Sequence, residues 1–461
     1  MSTIDRAVHT APGRLPLLGH ALKLHRDPLA FLDSLQGQGE IVRIFLGPRP
    51  AYVLNDPELV HRILVAGDDS VDKGALFERA RRVIGESLIT STGTAHRTRR
   101  RRVQPAFHRA RIDRYLDAML READEATAGW EDGQQIDLGR TVNDLTLSVA
   151  ARTLFTTRAD DGTAERMAAN VPVLFAIAAT LTMLPSWWRR LPTPGNHRFD
   201  QASANVRAAV TDALARRRSG TDVAEGAAGD VLDILLASRT EDGGTPMSDR
   251  EIQDEIITLV VTGAETTRAL ILATLHELGR HPEVADRMVA EMDSVIGTSP
   301  VRPEQLRLLE YTGHVIAETL RLYPNWLLTR RVLRPTKLGP VLAPAGTELI
   351  YSPYLLHRNP ALYPDPDRFD PDRWLTGEKP RRGAFIPFGN GAHKCVGDHF
   401  ALSEALAVLA TIHRKWRLRP IAGLTPGLVA KAGPIYPTPL HLRAESRSRS
   451  RPAPFVPRQR A

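Results

Sequence analysis

Hydrophobic positions follow a helical spacing along most of the chain and a strand-like alternation in only a few short stretches. The longest apolar pattern, over residues 254–280, is apolar on several faces and predicts a long central helix. Further helices are predicted over residues 166–183 and 398–415, and alternating residues within 41–54 predict strands. The pattern therefore predicts a fold that is mainly α with a small β region.

The domain organisation follows from where this patterning stops. Residues 1–442 contain no evident linker and no repeat with a period of about 20 to 50 residues, so they are predicted to form one compact domain. Residues 443–461 are rich in Ser, Arg and Pro and are predicted to be a basic, disordered tail. Residues 68–86 lack a strong period and are predicted to be a flexible loop above the ligand pocket.

Charge and the start of the chain narrow the class of protein. The 461 residues include 61 Lys and Arg against 53 Asp and Glu, which gives a net charge of +8. Part of the excess lies in residues 96–102, which lack the interleaved aromatic side chains of a nucleic-acid surface, so no nucleic-acid partner is expected. The chain shows no signal peptide and no run of roughly 18 apolar residues, so the sequence predicts a cytoplasmic protein without a membrane span.

The most informative residue for chemistry is Cys395, because it is the single cysteine of the chain. A lone thiol can pack in a core, act as a nucleophile, or bind a metal or haem iron. The basic neighbours His393 and Lys394 favour the thiolate, and the glycines at 391 and 397 let the backbone turn tightly. Asp398 then opens a predicted helix whose positive end faces the sulfur.

The residues Phe388, Gly391, His393, Cys395 and Gly397 fill, in order, the haem-binding signature of the cytochrome P450 monooxygenases, and the chain resembles this family. The resemblance implies haem b (Fe-protoporphyrin IX) with Cys395 as the axial metal ligand. It also implies the cytochrome P450 fold, a triangular prism of helices with the haem between the central helix and the cysteine-loop helix.

A charged network is implied by a second motif. Glu318 and Arg321 lie three residues apart, on one face of a predicted helix. In the family such a pair joins an arginine further along the chain, here Arg373, in a buried network. Buried charges tolerate desolvation only when they satisfy one another, so these three residues are expected to act as one unit that holds the cysteine loop.

Polar residues in the middle of the central helix are the candidates for catalysis. Thr266 lies four residues after Thr262, so its hydroxyl can bond the Thr262 carbonyl and loosen the helix locally. The resemblance implies that Thr266 positions protons for oxygen activation and that Glu265 relays them from solvent. Thr262 departs from the Ala or Gly common at this position and is expected to narrow the space for substrate.

The two haem propionates need cationic partners. His96 and Arg100 are four residues apart, hence on one helix face, and the resemblance assigns them this role together with Arg331 and His393. The remaining arginines of residues 96–102 are expected to form a basic surface. In the family such a surface docks an acidic ferredoxin, itself reduced by an NAD(P)H-dependent ferredoxin reductase, or a flavodoxin-like reductase domain.

The substrate contacts implied by the resemblance are mostly apolar. They are Val261, Thr262, Asn325, Trp326, Leu327, Ile435 and Tyr436. An apolar wall favours a small hydrocarbon, and the sequence resembles terpene-oxidising bacterial members of the family such as the pentalenene oxygenases. The function predicted is O2-dependent hydroxylation, in one or several steps, of a sesquiterpene-like hydrocarbon.

Other functions remain open from sequence. A polyketide, a macrolide or a fatty acid could be the substrate of a hydroxylase or epoxidase. A peroxide-using or isomerising haem enzyme commonly lacks the acid and threonine pair that Glu265 and Thr266 provide here. A non-catalytic haem protein would keep the cysteine ligand and the charged network but would not need that pair.

Overall fold

The computed structural model describes residues 8–66, 70–155, 162–184, 186–219, 230–238, 245–377, 380–430 and 433–447. Its α-helices are α1 Ala21–Arg26, α2 Pro28–Asp33, α3 Pro57–Val65, α4 Ala75–Ile84, α5 Gly93–Val103, α6 Arg109–Thr127, α7 Leu138–Phe155, α8 Thr163–Met183, α9 Pro194–Arg218, α10 Val231–Ala237, α11 Asp249–Arg280, α12 Pro282–Val295, α13 Pro303–Leu306, α14 Glu310–Leu322, α15 Pro353–His357 and α16 Asp398–Lys415. Short 3₁₀ turns occupy Gln104–Phe107, Ser186–Arg190, Pro371–Trp374 and Gly391–His393.

The strands form one larger sheet and three small ones. They are β1 His9–Thr10, β2 Ile41–Leu46, β3 Arg49–Leu54, β4 Val71–Asp72, β5 Gln135–Asp137, β6 Leu328–Val332, β7 Thr336–Leu338, β8 Val341–Ala343, β9 Glu348–Tyr351, β10 Trp416–Pro420, β11 Gly427–Val429, β12 Tyr436–Thr438 and β13 His441–Ser446. The larger sheet has the order β1-β2-β3-β9-β6-β4, and β10-β13-β5 form a three-stranded sheet. The observed architecture is mainly helical with a small β region, as the sequence predicts.

The central helix α11 organises the core. Its start is fixed by a capping box, in which the Ser248 side chain accepts from the Glu251 N–H while the Glu251 side chain accepts from the Ser248 N–H. Among the described residues, α11 is the helix that meets the length and hydropathy criteria for crossing a membrane, and 72% of its apolar window is buried inside the fold. Its apolar surface is therefore used for packing against neighbouring helices.

Two predictions about the polypeptide outside the core are wrong. Residues 68–86 are not a continuous loop, because α4 spans Ala75–Ile84; residues 67–69 lie outside the described residues. The tail does not begin at residue 443, because β13 continues to Ser446 and pairs with β10. Arg447 then donates to the His413 carbonyl at 2.6 Å, and residues 448–461 lie outside the described residues.

Candidate haem and substrate site

The cysteine loop is a tight turn in front of α16. The Cys395 N–H donates to the Phe388 carbonyl at 2.9 Å, which closes the loop. Gly391 has a φ of +68°, and a Cβ there would lie 2.0 Å from the carbonyl oxygen of Leu64. Only glycine fits this position, because an L side chain would meet both an unfavourable φ and a backbone clash.

The thiol of Cys395 faces an internal space. Its surface is accessible, yet burial is the main cause that raises the pKa of the thiol. The Gly397 N–H and the charges of Arg100 and Lys394 act in the opposite direction. An accessible sulfur enclosed by protein is the arrangement that a buried metal ligand requires, and coordination to a metal would deprotonate the thiol outright.

One face of the central helix borders an open space. Leu259, Thr262, Gly263 and Thr266 remain partly accessible while their neighbours along the helix are buried. This spacing of three and four residues defines a single helix face. A Cβ at Gly263 would meet nothing within 4 Å. In a helix otherwise packed on most sides, this opening marks the wall of a cavity.

The threonines on this helix form a ladder of hydroxyl-to-carbonyl hydrogen bonds. Thr266 Oγ1 donates to the Thr262 carbonyl at 2.7 Å, which is the contact expected from the sequence. Thr262 Oγ1 donates in turn to the Thr258 carbonyl at 2.7 Å. Because the Thr266 proton is engaged with the backbone, its oxygen remains an acceptor for a water or a ligand.

Glu265 has a partner that the sequence analysis missed. Arg268 Nη2 donates to its carboxylate at 2.6 Å, and both side chains are largely buried. The Arg268 guanidinium lies 4.6 Å from the centroid of the Tyr436 ring. The spacing of three residues between Glu265 and Arg268 was a usable signal, whereas the contact with Tyr436 depends on tertiary structure.

A cluster of cationic and imidazole groups lies next to the cysteine loop. The rings of His96 and His393 are 4.1 Å apart. Burial and the nearby cations Lys73, Arg100 and Arg330 lower the pKa of His96 to about 3 and that of His393 to about 2. His96 Nδ1 and Arg330 Nε are buried without a hydrogen-bond partner.

Buried polar atoms in native proteins nearly always have hydrogen-bond partners, and a group of buried positive charges is stabilised only when an anion neutralises it. The two carboxylates of haem would supply both the missing acceptors and the missing negative charge. The residues present therefore fit the cofactor that the cysteine loop predicts, and His96, Arg100, Arg330 and His393 are the residues that would hold its propionates.

The assignment of Arg331 to a propionate is wrong in this structure. Arg331 Nη2 donates to Asp72 at 2.5 Å and to Glu78 at 2.7 Å, so its charge is already neutralised by two carboxylates. The neighbouring Arg330 is 3% exposed and is one of the cations that lower the pKa of both histidines. Successive strand residues face opposite sides, so one residue of register decides which arginine faces the site.

The three charged residues predicted to form a network are in contact. Arg321 donates to the Glu318 carboxylate at 2.9 and 2.8 Å, and Arg373 Nε donates to it at 3.0 Å. Two further participants were missed: Trp374 Nε1 donates to Glu318 at 3.0 Å, and His357 accepts from the Ile386 N–H at 3.0 Å. The Arg321 guanidinium also donates to the His357 carbonyl at 2.8 Å, which connects the network to the chain before the cysteine loop.

Five of the seven predicted substrate contacts divide into two groups. Thr262 is on the accessible face of the central helix, and Asn325 and Leu327 are partly buried in the segment after α14. By contrast, Trp326 and Ile435 are 6% and 1% exposed and pack into the core beside the large sheet. These two side chains serve core packing, so their assignment to the substrate is wrong. The others fall outside both groups: Val261 is buried in the main core, and Tyr436 packs against Arg268.

Comparisons with known proteins agree with this geometry. The family model described as Cytochrome P450 matches residues 10–430. Cyclooctat-9-en-7-ol 5-monooxygenase of Streptomyces melanosporofaciens is 44% identical, over 90% of this chain and 90% of its own length. Cyclooctatin synthase of the same organism is 40% identical, over 94% and 95%. Pentalenene oxygenase of Streptomyces avermitilis is 39% identical, over 95% and 97%.

Proposed function

Because the chain belongs to the cytochrome P450 family, whose members are haem-thiolate monooxygenases, we propose that it hydroxylates a sesquiterpene-like hydrocarbon. Family membership confirms the predicted fold class, the haem cofactor and the oxidoreductase activity. The observation that carries the substrate class is the near full-length similarity to three Streptomyces enzymes, two of which are named as oxygenases and one of these for pentalenene.

The cavity wall supports an apolar substrate. The accessible face of the central helix offers Leu259, the open space at Gly263 and two threonines whose hydroxyl protons are engaged with backbone carbonyls. A surface of this kind binds by shape and apolar contact, with few polar groups to fix orientation. Asn325 and Leu327 are proposed to complete the wall.

The haem, once bound, supplies the oxygen-activating and carbon-oxidising chemistry. Cys395 would ligate its iron, and His96, Arg100, Arg330 and His393 are proposed to bind its propionates. Thr266 would accept a hydrogen bond from a water at Oγ1 and orient it. Glu265 would deliver protons to that water through Oε1, because both hydrogen bonds from Arg268 go to Oε2.

Members of this family use O2 and an electron-donating partner. We propose that the donor is an acidic ferredoxin with its NAD(P)H-dependent reductase, and that the protein works in the cytoplasm. The support is the surface beside the cysteine loop, where Arg97, Arg101 and Lys394 are exposed. Opposite charge on the partner would accelerate the encounter.

A binding titration tests the substrate class. Terpene hydrocarbons are expected to displace water from the haem iron and shift the Soret band to its high-spin position, whereas a macrolide and a fatty acid should leave it unchanged. The reverse pattern would contradict a terpene substrate. A Cys395→Ser variant is the control for the site itself, because it should lose the long-wavelength CO difference band of sulfur-ligated haem.

A further inference from the structure

Four leucines form an exposed apolar surface at the start of the chain, here called the leucine surface. They are Leu15, Leu17, Leu18 and Leu46, with exposed fractions of 39%, 89%, 51% and 38%. Residues 12–18 are all exposed, and Leu15-Pro16-Leu17-Leu18 places four apolar residues in succession. Single exposed leucines are common on proteins, but a contiguous group of this kind marks an interaction surface.

The leucines are held outward by the backbone. Leu15 and Gly19 exchange two hydrogen bonds, each 2.9 Å, which closes a turn around residues 16–18. The turn rests on the β2–β3 hairpin, where the Gly47 N–H donates to the Leu18 carbonyl at 3.2 Å. Leu17 has a φ of +60°, a conformation that costs energy for a non-glycine residue. The fold therefore keeps a strained turn whose most exposed apolar side chain, Leu17, points to the outside.

The charges on the two segments that build this surface have one sign. Residues 8–26 and 41–54, which build the turn and the hairpin beneath it, contain five Arg and Lys and no Asp or Glu. Arg14 precedes the turn and stacks 3.6 Å above the Phe45 ring. Arg49 pairs with Leu46 at the end of the hairpin. Projecting leucines are thus bordered by cations on the same two segments.

We propose that the leucine surface is a peripheral membrane-binding site for anionic phospholipid. Projecting apolar side chains can enter the boundary between headgroups and acyl chains, and the surrounding cations complement the lipid phosphates. A turn that protrudes suits a fluid lipid surface better than the concave or flat faces that pair proteins. Each basic residue close to an anionic bilayer adds attraction that salt weakens.

The proposal is tested by sedimentation of the haem-loaded, full-length protein with phospholipid vesicles. We expect binding to vesicles of phosphatidylcholine with about one third phosphatidylglycerol, and much weaker binding to phosphatidylcholine alone. The double substitution Leu17→Ser and Leu18→Ser should raise the lipid concentration for half-maximal binding by about tenfold, since both side chains lose their apolar transfer energy. Leu308→Ser is the matched control, because Leu308 is 61% exposed elsewhere on the protein and should not change binding.

Three outcomes would overturn the proposal. The double variant could bind vesicles as the wild type does, or the wild type could bind neither kind of vesicle. Alternatively, size-exclusion chromatography could show a dimer that the double variant converts to a monomer while lipid binding is absent, which would make the surface an interface between two copies. An unchanged CO difference spectrum and melting temperature in the double variant show that any loss of binding is not caused by misfolding.

Discussion

Replacing Glu318 with Gln should destabilise the protein strongly, although the two side chains have nearly the same shape. The carboxylate accepts five hydrogen bonds, from Nε and Nη2 of Arg321, Nε of Arg373, Nε1 of Trp374 and the Asp370 N–H. Oε1 receives three of these bonds and Oε2 receives two. Whichever oxygen becomes the amide NH2, at least two donors therefore lose their acceptor and face another donor.

The magnitude follows from burial. Glu318 and Arg321 are both 0% exposed, so the substitution leaves a buried guanidinium without a counter-charge. Breaking a buried ion pair by removing one partner costs about 3 to 5 kcal/mol. The two orphaned donors are part of that sum, since each unsatisfied buried group costs about 1 to 3 kcal/mol.

The assay is urea unfolding followed by far-UV circular dichroism on the haem-loaded protein. Glu304→Gln is the matched control, because Glu304 also pairs with an arginine, Arg302 at 3.2 Å, but both side chains are more than half exposed. Such a surface pair contributes about 0 to 1 kcal/mol. If Glu318→Gln and Glu304→Gln lowered the free energy of unfolding equally, the argument that burial makes the network essential would be refuted.

Three further predictions concern other parts of the molecule. Burial lowers the pKa of His357 to about 3, so below its ordinary pKa of about 6.5 the unfolded chain binds a proton that the folded protein excludes. The free energy of unfolding should therefore fall as the pH decreases from about 6.5 towards 3, by up to about 1.4 kcal/mol per pH unit from this group. Urea titrations at several pH values should show a smaller slope for His357→Gln than for the wild type. An unchanged slope would contradict a neutral buried imidazole. Gly263→Leu should fill the open space beside the central helix and abolish the substrate-induced Soret shift. The control is Gly313→Ala in α14, where a Cβ also meets nothing within 4 Å. It should stabilise the folded protein by about 0.5 to 1 kcal/mol and leave the Soret shift intact. Arg330→Ala should accelerate haem transfer to apomyoglobin, because it removes a proposed propionate partner, while Arg331→Ala should not. If the Arg331→Ala variant lost haem faster than the Arg330→Ala variant, Arg331 would be the propionate partner instead.

The parts of the fold that the sequence predicted are those in which local pattern and tertiary burial agree. The helix that follows the cysteine loop was expected over residues 398–415 and is observed at Asp398–Lys415. The central helix was expected from residue 254 and begins at Asp249, because the start is polar and set by a capping box rather than by apolar spacing. Strong apolar periodicity over many residues is the most reliable signal in a sequence.

The missed helix Ala75–Ile84 shows where this agreement ends. A helix of ten residues is marginal in isolation, and this one lies between Gly74 and Gly85, both with positive φ. Tertiary contacts fix it: the Glu348 carboxylate accepts from the Ala75 N–H at 3.3 Å, and Arg331 reaches Glu78 from β6. Both partners come from strands more than two hundred residues away in the chain, so the local sequence could not reveal them.

Strand β13 has a signal in its own sequence. Residues 441–445 alternate between buried and more exposed positions, with Leu442 and Ala444 buried and Arg443 exposed, and this alternation is typical of a strand. The abundance of arginine in this region suggested disorder. Because arginines on the outer face of a strand do not oppose its formation, composition was the weaker guide here.

The candidate catalytic residues illustrate how far a motif determines a mechanism. The contact between Thr266 and the Thr262 carbonyl depends only on helix geometry, and the sequence was sufficient to predict it. The position of the Glu265 carboxylate depends on tertiary contacts, because Arg268 binds it and the Arg268 guanidinium in turn lies against the Tyr436 ring of β12. Both hydrogen bonds from Arg268 go to Oε2, so Oε1 is the oxygen that this arginine leaves for a water. The proposed proton delivery would therefore pass through Oε1, while Arg268, which lies against Tyr436 of β12, holds the carboxylate in place.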